Sequence, residues 1–142
     1  MGLKQIDHGT KEYQQMVQLR LQILRQPLGL SFTKEELENE KNNILIAAFD
    51  EEDMLGCCML TKIDTHTLQV RQMAVNNTLQ GKGIGASIMA FAENLSRDKG
   101  YKKLIMHARD TAIGFYEKFG FKVKGAVFLE LNIPHHVMEK KL

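Results

Sequence analysis

The sequence predicts a mixed α/β protein: a mostly antiparallel central sheet flanked by helices. Three patterns point there. Between Asn43 and Val75 three apolar runs follow one another with only short polar links, as in an antiparallel meander. After Gly83 the apolar spacing changes to the three-four rhythm of a helix. Beyond that, strand-like runs and helical stripes alternate to the end of the chain.

Taken in order, Leu3 to Asp7 reads as a short first strand. Lys11 to Gln26 reads as a helix, because Tyr13, Met16, Val17, Leu21 and Leu24 share one face, and Pro27 and Gly29 end it. Thr33 and Glu36 have capping-box spacing, which predicts a helix from Lys34 to about Lys41. Asn43–Phe49, Met54–Ile63 and Leu68–Val75 are the three meander strands. Ile84, Ile88, Phe91, Ala92 and Leu95 mark the face of a helix that stops at Gly100. Lys102–Ala108 is a further strand. A short helix with Ala112, Phe115, Tyr116 and Phe119 on its apolar stripe is closed by Gly120. Phe121–Leu131 and His135–Leu142 are two last strands, split by Pro134.

The 142 residues suit one domain, 1–142, with a core of its own. Lys plus Arg is 19 and Asp plus Glu is 17, a net charge of +2, which offers no footprint for nucleic acid or an anionic membrane. No apolar run approaches the roughly 18 residues of a membrane span. Met1 to His8 lacks the apolar stretch of a secretory signal. Cys57 and Cys58 are adjacent, and neighbours in a strand point oppositely, so they are expected as free thiols in a reducing, cytoplasmic setting. Burial would raise their pKa and leave them inert. Adjacent His135 and His136, with no second cluster, lack metal-site geometry, so no metal is expected. Most methionines, Met16, Met59, Met73, Met89 and Met106 among them, fall on apolar faces as core filler.

The segment Gln80-Gly81-Lys82-Gly83-Ile84-Gly85-Ala86 lies between a strand and a helix. Glycines allow a tight turn and let backbone N–H groups approach a ligand. The following helix leaves its first amides unpaired at the positive end of its dipole. Together these form an anion site suited to phosphate or diphosphate; the plainer reading is a glycine turn with no ligand. Lys82 is followed by glycine rather than Ser or Thr, which excludes a Walker loop. The dinucleotide pattern is formally met by Gly81, Gly83 and Ala86. The strand before it closes a meander, however, and the remaining chain is too short for more βαβ units.

Gln80-Gly81-Lys82-Gly83-Ile84-Gly85 resembles the Q/R-x-x-G-x-G/A signature of the GCN5-related N-acetyltransferase (GNAT) superfamily. Ala112-Ile113-Gly114-Phe115-Tyr116-Glu117-Lys118-Phe119-Gly120-Phe121 resembles that superfamily's A-x-x-F-Y-E-K-x-G-F segment, at the usual distance downstream. The match covers about residues 43–121, and the flanks around Pro27 and Pro134 look like those of a bacterial subgroup. The resemblance implies the GNAT acyl-CoA N-acyltransferase fold and an acetyl-CoA-dependent N-acetyltransferase, with acetyl-CoA and an amine as partners. It implies a diphosphate on the amides of Gly81 to Gly85, with Gln80, Lys82, Ile84, Ala86, Phe115 and Lys118 beside the cosubstrate. Met73, Ala74 and Val75 would pair with the pantetheine arm, and the Met73 N–H would face the thioester oxygen.

The same resemblance makes Tyr116 the general acid, a phenol of pKa near ~10 facing a thiolate leaving group. The plainer reading is a packed core tyrosine. Arg109 stands where many members carry Asn, and would meet a phosphate, an acidic substrate or only solvent. The meander strand has no acid to serve as base. The candidates are His107, then Glu130, His135 and His136, since a free imidazole titrates near ~6.5. Direct transfer in a ternary complex is the expected mechanism. The rival reading is an acyl-CoA-binding regulatory module without turnover. An edge-strand homodimer is compatible with this class of fold.

Overall fold

The apolar run after Asn43 shows no polar alternation because both faces of its strand are covered. In the computed structural model, which describes residues 1–142, this strand is β2 (Ile44–Asp50). Its even-numbered residues Ile46 and Ala48 join a core with Ile84, Ile88, Met89 and Ala92. Its odd-numbered residues Leu45, Ala47 and Phe49 join a second core with Tyr13, Met16 and Leu19. Period-two side-chain geometry thus sends one strand into two cores. It also parts the adjacent thiols: Cys58 lies in the first core and Cys57 in the second.

Around β2 the chain runs β1 (Gly2–Ile6), α1 (Lys11–Arg20), α2 (Lys34–Glu38), β2, β3 (Asp53–Lys62), β4 (Thr67–Val75), α3 (Ile84–Asp98), β5 (Lys103–Arg109), α4 (Ile113–Glu117), β6 (Lys122–Glu130) and β7 (Ile133–Lys141). One seven-stranded sheet has the order β1-β2-β3-β4-β5-β7-β6. Every pairing is antiparallel except β4 with β5, where the α3 crossover requires parallel strands. This is the mostly antiparallel, helix-flanked sheet that the sequence predicts.

Three local features depart from the sequence reading. The first helix keeps α winding only to Arg20. Leu21–Arg25 then forms a π turn, with the Gln26 N–H reaching back to the Leu21 carbonyl, and Gln26–Leu28 tightens into a 3-10 turn. Pro27 has no N–H to continue the ladder, and Gly29 closes it at φ 69°. Pro134 does not split the last two strands. It sits inside β7 opposite Leu129, ahead of the point where β7 starts to pair with β5, so its missing N–H costs little there. The reversal is made by Leu131 and Asn132, both left-handed at φ 52° and 59°, which matches the twist of a two-residue hairpin. Finally, a β-bulge in β4 opposite Cys58 leaves Gln72 and Met73 outside the β3–β4 register, with Gln72 at φ 55°.

The capping box forms as expected, with the Thr33 hydroxyl accepting from the Glu36 N–H and the Glu36 carboxylate from the Thr33 N–H. The segment it starts carries Glu40 under α1. There Arg20, fully buried, donates two hydrogen bonds to the Glu40 carboxylate at 2.7 Å each, and the Tyr13 hydroxyl adds a third at 2.7 Å. Burial alone would raise the Glu40 carboxyl, but Arg20 and Tyr13 outweigh it and hold the group below its usual range.

Candidate functional site

β4 and β5 pair only from Thr67 to Val70 against Lys103 to Met106. Beyond that, β4 runs on to Val75 and β5 to Arg109, unpaired with each other. The carboxyl ends of two parallel strands thus part into a wedge, the place where α/β sheets bind ligands. Each strand leads into a helix, β4 into α3 and β5 into α4.

The glycine loop closes the β4 arm. Its entry is tied down: the Gln80 side-chain amide donates to the Val75 carbonyl at 3.3 Å and to Asn77 Oδ1 at 3.2 Å. Gln80 therefore holds the loop to the strand through its own side chain. Gly81 and Gly83 both take φ 82°, a conformation that excludes other residues without strain. A Cβ at either would meet nothing within 4 Å. Gly83 is the N-cap of α3, and no side chain caps that helix. Its first amides thus have no side-chain partner at the positive end of a fifteen-residue helix. Ile84 is buried beneath, rooting the helix start in the core. Lys82 and Lys118 are exposed, and Ala86 is half-buried.

The second motif packs against the first. A Cβ on Gly85 would come within 3.3 Å of the Phe115 ring and 3.8 Å of Val75 Cγ2, so glycine there allows α4, α3 and β4 to meet. Ala74 turns its side chain into the second core, leaving only its backbone toward the wedge.

A cavity of about 420 Å³ occupies the wedge on the far side of Met73 from the loop. It is lined by Leu24 and Arg25 of the π turn, Arg71 and Met73 of β4, His107 and Arg109 of β5, Tyr116 of α4, Glu130 of β6 and His135 of β7. Met73 is thus a lining residue as well as a core neighbour. His136, opposite in the strand alternation, leaves the cavity and pairs with Asp110 at 2.8 Å.

Burial pushes the Tyr116 phenol up to about 12, reinforced by Cys58, and no hydrogen bond contributes. The group stays protonated and free to donate. Burial likewise pushes Cys57 up to about 12 and raises Cys58, so neither thiol is a nucleophile at neutral pH. Across the cavity His107 Nδ1 meets Glu130 Oε1 at 3.0 Å. An ionised carboxylate only accepts, so Nδ1 carries the proton and the lone pair of neutral His107 sits on Nε2. His135 is buried; its Nδ1 donates to the Ile133 carbonyl at 2.7 Å, and its Nε2 lies 3.6 Å from Glu130 Oε2. Phe128 stands edge-on to His107 and stacks on His135. The sequence names the three polar residues singly. That both histidines come beside the Glu130 carboxylate depends on β5–β7–β6 register.

Comparisons with known proteins agree with this architecture. A family model described as "Acetyltransferase (GNAT) domain" matches residues 13–142. A Bacillus subtilis (strain 168) protein described as "Uncharacterized N-acetyltransferase YjcF" is 31% identical over 107 residues, 75% of this chain and 74% of that protein. "Probable N-acetyltransferase 14" of Xenopus tropicalis is 27% identical over 89 residues, 60% of this chain. The match spans only about half the length of some relatives, 43% of the Xenopus protein and 55% of the Bacillus subtilis protein YyaT. Among solved structures, an acyl-CoA N-acyltransferase from Pseudomonas aeruginosa superposes with TM-score 0.84 at 18% identity, covering 98% of both chains. An aminoglycoside 6'-N-acetyltransferase complexed with coenzyme A superposes with TM-score 0.85 at 18% identity, covering 99% of this chain and 97% of that one. No helix is long and apolar enough to cross a membrane. With the family model spanning nearly its whole length and the fold in agreement, this chain belongs to the GNAT acetyltransferases.

Proposed function

We propose that the chain, acting as one unit over residues 1–142, transfers the acetyl group of acetyl-CoA to a primary amine by direct attack in a ternary complex. One observation carries this reading. An uncapped glycine loop and a cavity holding Tyr116, His107 and Glu130 flank the same five residues of β4 that do not pair with β5. The loop amides of Gly81 to Gly85 suit a diphosphate, and the free edge of Met73 to Val75 suits an arm that carries amides, as an added strand would. The cavity beyond Met73 then receives the amine. Free buried thiols fit a cytoplasmic setting. The outer strand β6, with Val127 and Leu129 exposed, is the edge through which a dimer would pair.

Each residue has a role in this scheme. As the amine nitrogen bonds to the acyl carbon, charge builds on the thioester oxygen, and the bulged backbone at Met73 supplies an N–H there. The nitrogen sheds a proton to His107 Nε2, and Glu130 steadies the resulting imidazolium through Nδ1. The C–S bond breaks with its electron pair on sulfur. A thiol ionises near ~8.5, about 3.5 units below a phenol held at about 12, so full transfer from Tyr116 would cost about 5 kcal/mol. Tyr116 therefore acts as a hydrogen-bond donor to the departing sulfur, and the thiolate takes its proton from solvent.

Acetyl-CoA at a hundred times its Kd should add about 2.7 kcal/mol to folding stability, read as a raised melting temperature, and amines should drive thiol release. Tyr116→Phe should lower kcat by about 10- to 1,000-fold with coenzyme affinity intact. Stabilisation by NADH but not by coenzyme A would overturn the reading. Stabilisation by coenzyme A with no thiol release across an amine panel would leave only a binding module.

A further inference from the structure

The charges on the cavity wall single out a class of acceptor, on the premise that the cavity receives the amine as proposed above. Three arginines line it, Arg25, Arg71 and Arg109, against one carboxylate, Glu130. Glu130 is engaged by His107, and His135 Nε2 lies 3.6 Å from its other oxygen. Arg25 is engaged as well: it donates to the Ser31 carbonyl at 3.1 Å, lies 3.5 Å from Glu36 and stacks on Phe32. Arg71 and Arg109 form no ion pair with any carboxylate of the chain. The wall therefore presents two guanidinium groups with no ion-pair partner, from the two strands that part to make the wedge; the charge of Arg71 also acts, at longer range, on the buried Glu40 carboxylate.

Their place along the chain separates them from the diphosphate site. On β4 the order is Arg71, Met73, Val75 and then the loop at residues 80–86. Arg71 lies on the opposite side of Met73 from the loop, at most about 7 Å along the strand at roughly 3.3 Å per residue. No residue of the loop lines the cavity. A guanidinium fork matches a carboxylate with two parallel hydrogen bonds, and a polycationic amine would meet like charge with a single acid, already hydrogen-bonded to His107, to receive it.

We infer that the acceptor is a small amine bearing a carboxylate, an amino acid, whose carboxylate is held by Arg71 and Arg109 while its nitrogen faces Met73 and His107. The test uses matched pairs: phenylalanine with phenethylamine, and lysine with cadaverine, plus spermidine and kanamycin as polycations. Thiol release should favour the carboxylate member of the better pair by about 10- to 100-fold in kcat/KM, the discrimination expected of a charged hydrogen-bonding site. Calorimetry with coenzyme A present should show the N-acetylated amino acid binding and the N-acetylated amine not. Arg71→Met with Arg109→Met, or Arg109→Met alone if the double variant melts early, should reduce the preference and raise KM for the amino acid, with KM for acetyl-CoA unmoved. Equal or better use of the decarboxylated amines or polycations would overturn the inference while leaving acetyl transfer standing. So would a variant that loses acetyl-CoA affinity instead. Thiol release that no amine raises above the amine-free rate would fail the transfer reading itself, and this inference with it.

Discussion

Aspartate in place of Gly83 should remove coenzyme A binding while leaving the protein folded. The position has φ 82°, so any side chain there costs roughly 1–2 kcal/mol of backbone strain. The protein itself has room, since a Cβ meets nothing within 4 Å. A carboxylate there would instead add negative charge beside the uncapped amides of α3, at the positive end of the helix dipole. The proposed site then holds a resident anion. Like charge then costs several kcal/mol against an incoming diphosphate, so Kd should rise at least about 100-fold. Calorimetry measures this directly, with Gly83→Ala as the control that keeps the strain and omits the charge. Undiminished binding by the aspartate variant would contradict the diphosphate placement.

Arg20→Ala should have the largest effect on stability, a loss of about 3–5 kcal/mol in urea unfolding, because it strands the Glu40 carboxylate inside the protein. That is a large share of the 5–15 kcal/mol typical of a domain. Replacing both partners with apolar residues, Arg20→Met with Glu40→Leu, should recover most of it. The same pair sets an acid limit. Glu40 has a lower pKa folded than unfolded, so its contribution is present above the ordinary carboxylate range, near ~4.3, and is lost as pH falls through the folded value. The double replacement should flatten that part of the stability curve. An Arg20→Ala variant as stable as the parent at pH 7 would show that the pair carries no weight.

What the sequence made legible was local. The glycine loop is read from seven consecutive residues because its conformation depends on backbone freedom and a helix start, both encoded there. The run NILIAAF announced a strand, and the fold adds that both its faces are covered. The parts that stayed hidden are set by register and winding. Arg20 lies twenty residues from Glu40 and is indistinguishable in sequence from a solvated arginine beside an apolar stripe. His107 meets Glu130 only because β7 lies between β5 and β6. The π turn that brings Arg25 to the cavity and the bulge at Gln72 leave no compositional mark, since each is a one-residue excess absorbed where packing demands it. Pro134 gave a false boundary, because the reversal was made by two non-glycine residues in left-handed conformations that composition does not announce.

The parted strands have a mechanical side. Four residue pairs between β4 and β5 are all the ladder that joins a left panel, β1 to β4, to a right panel, β5 to β7. A sheet hinged on so short a seam is softest in the twist of one panel against the other. An extended chain of amides laid into the gap would act as a splint across that seam, so that holding the proposed acyl donor and stiffening the molecule would be one event.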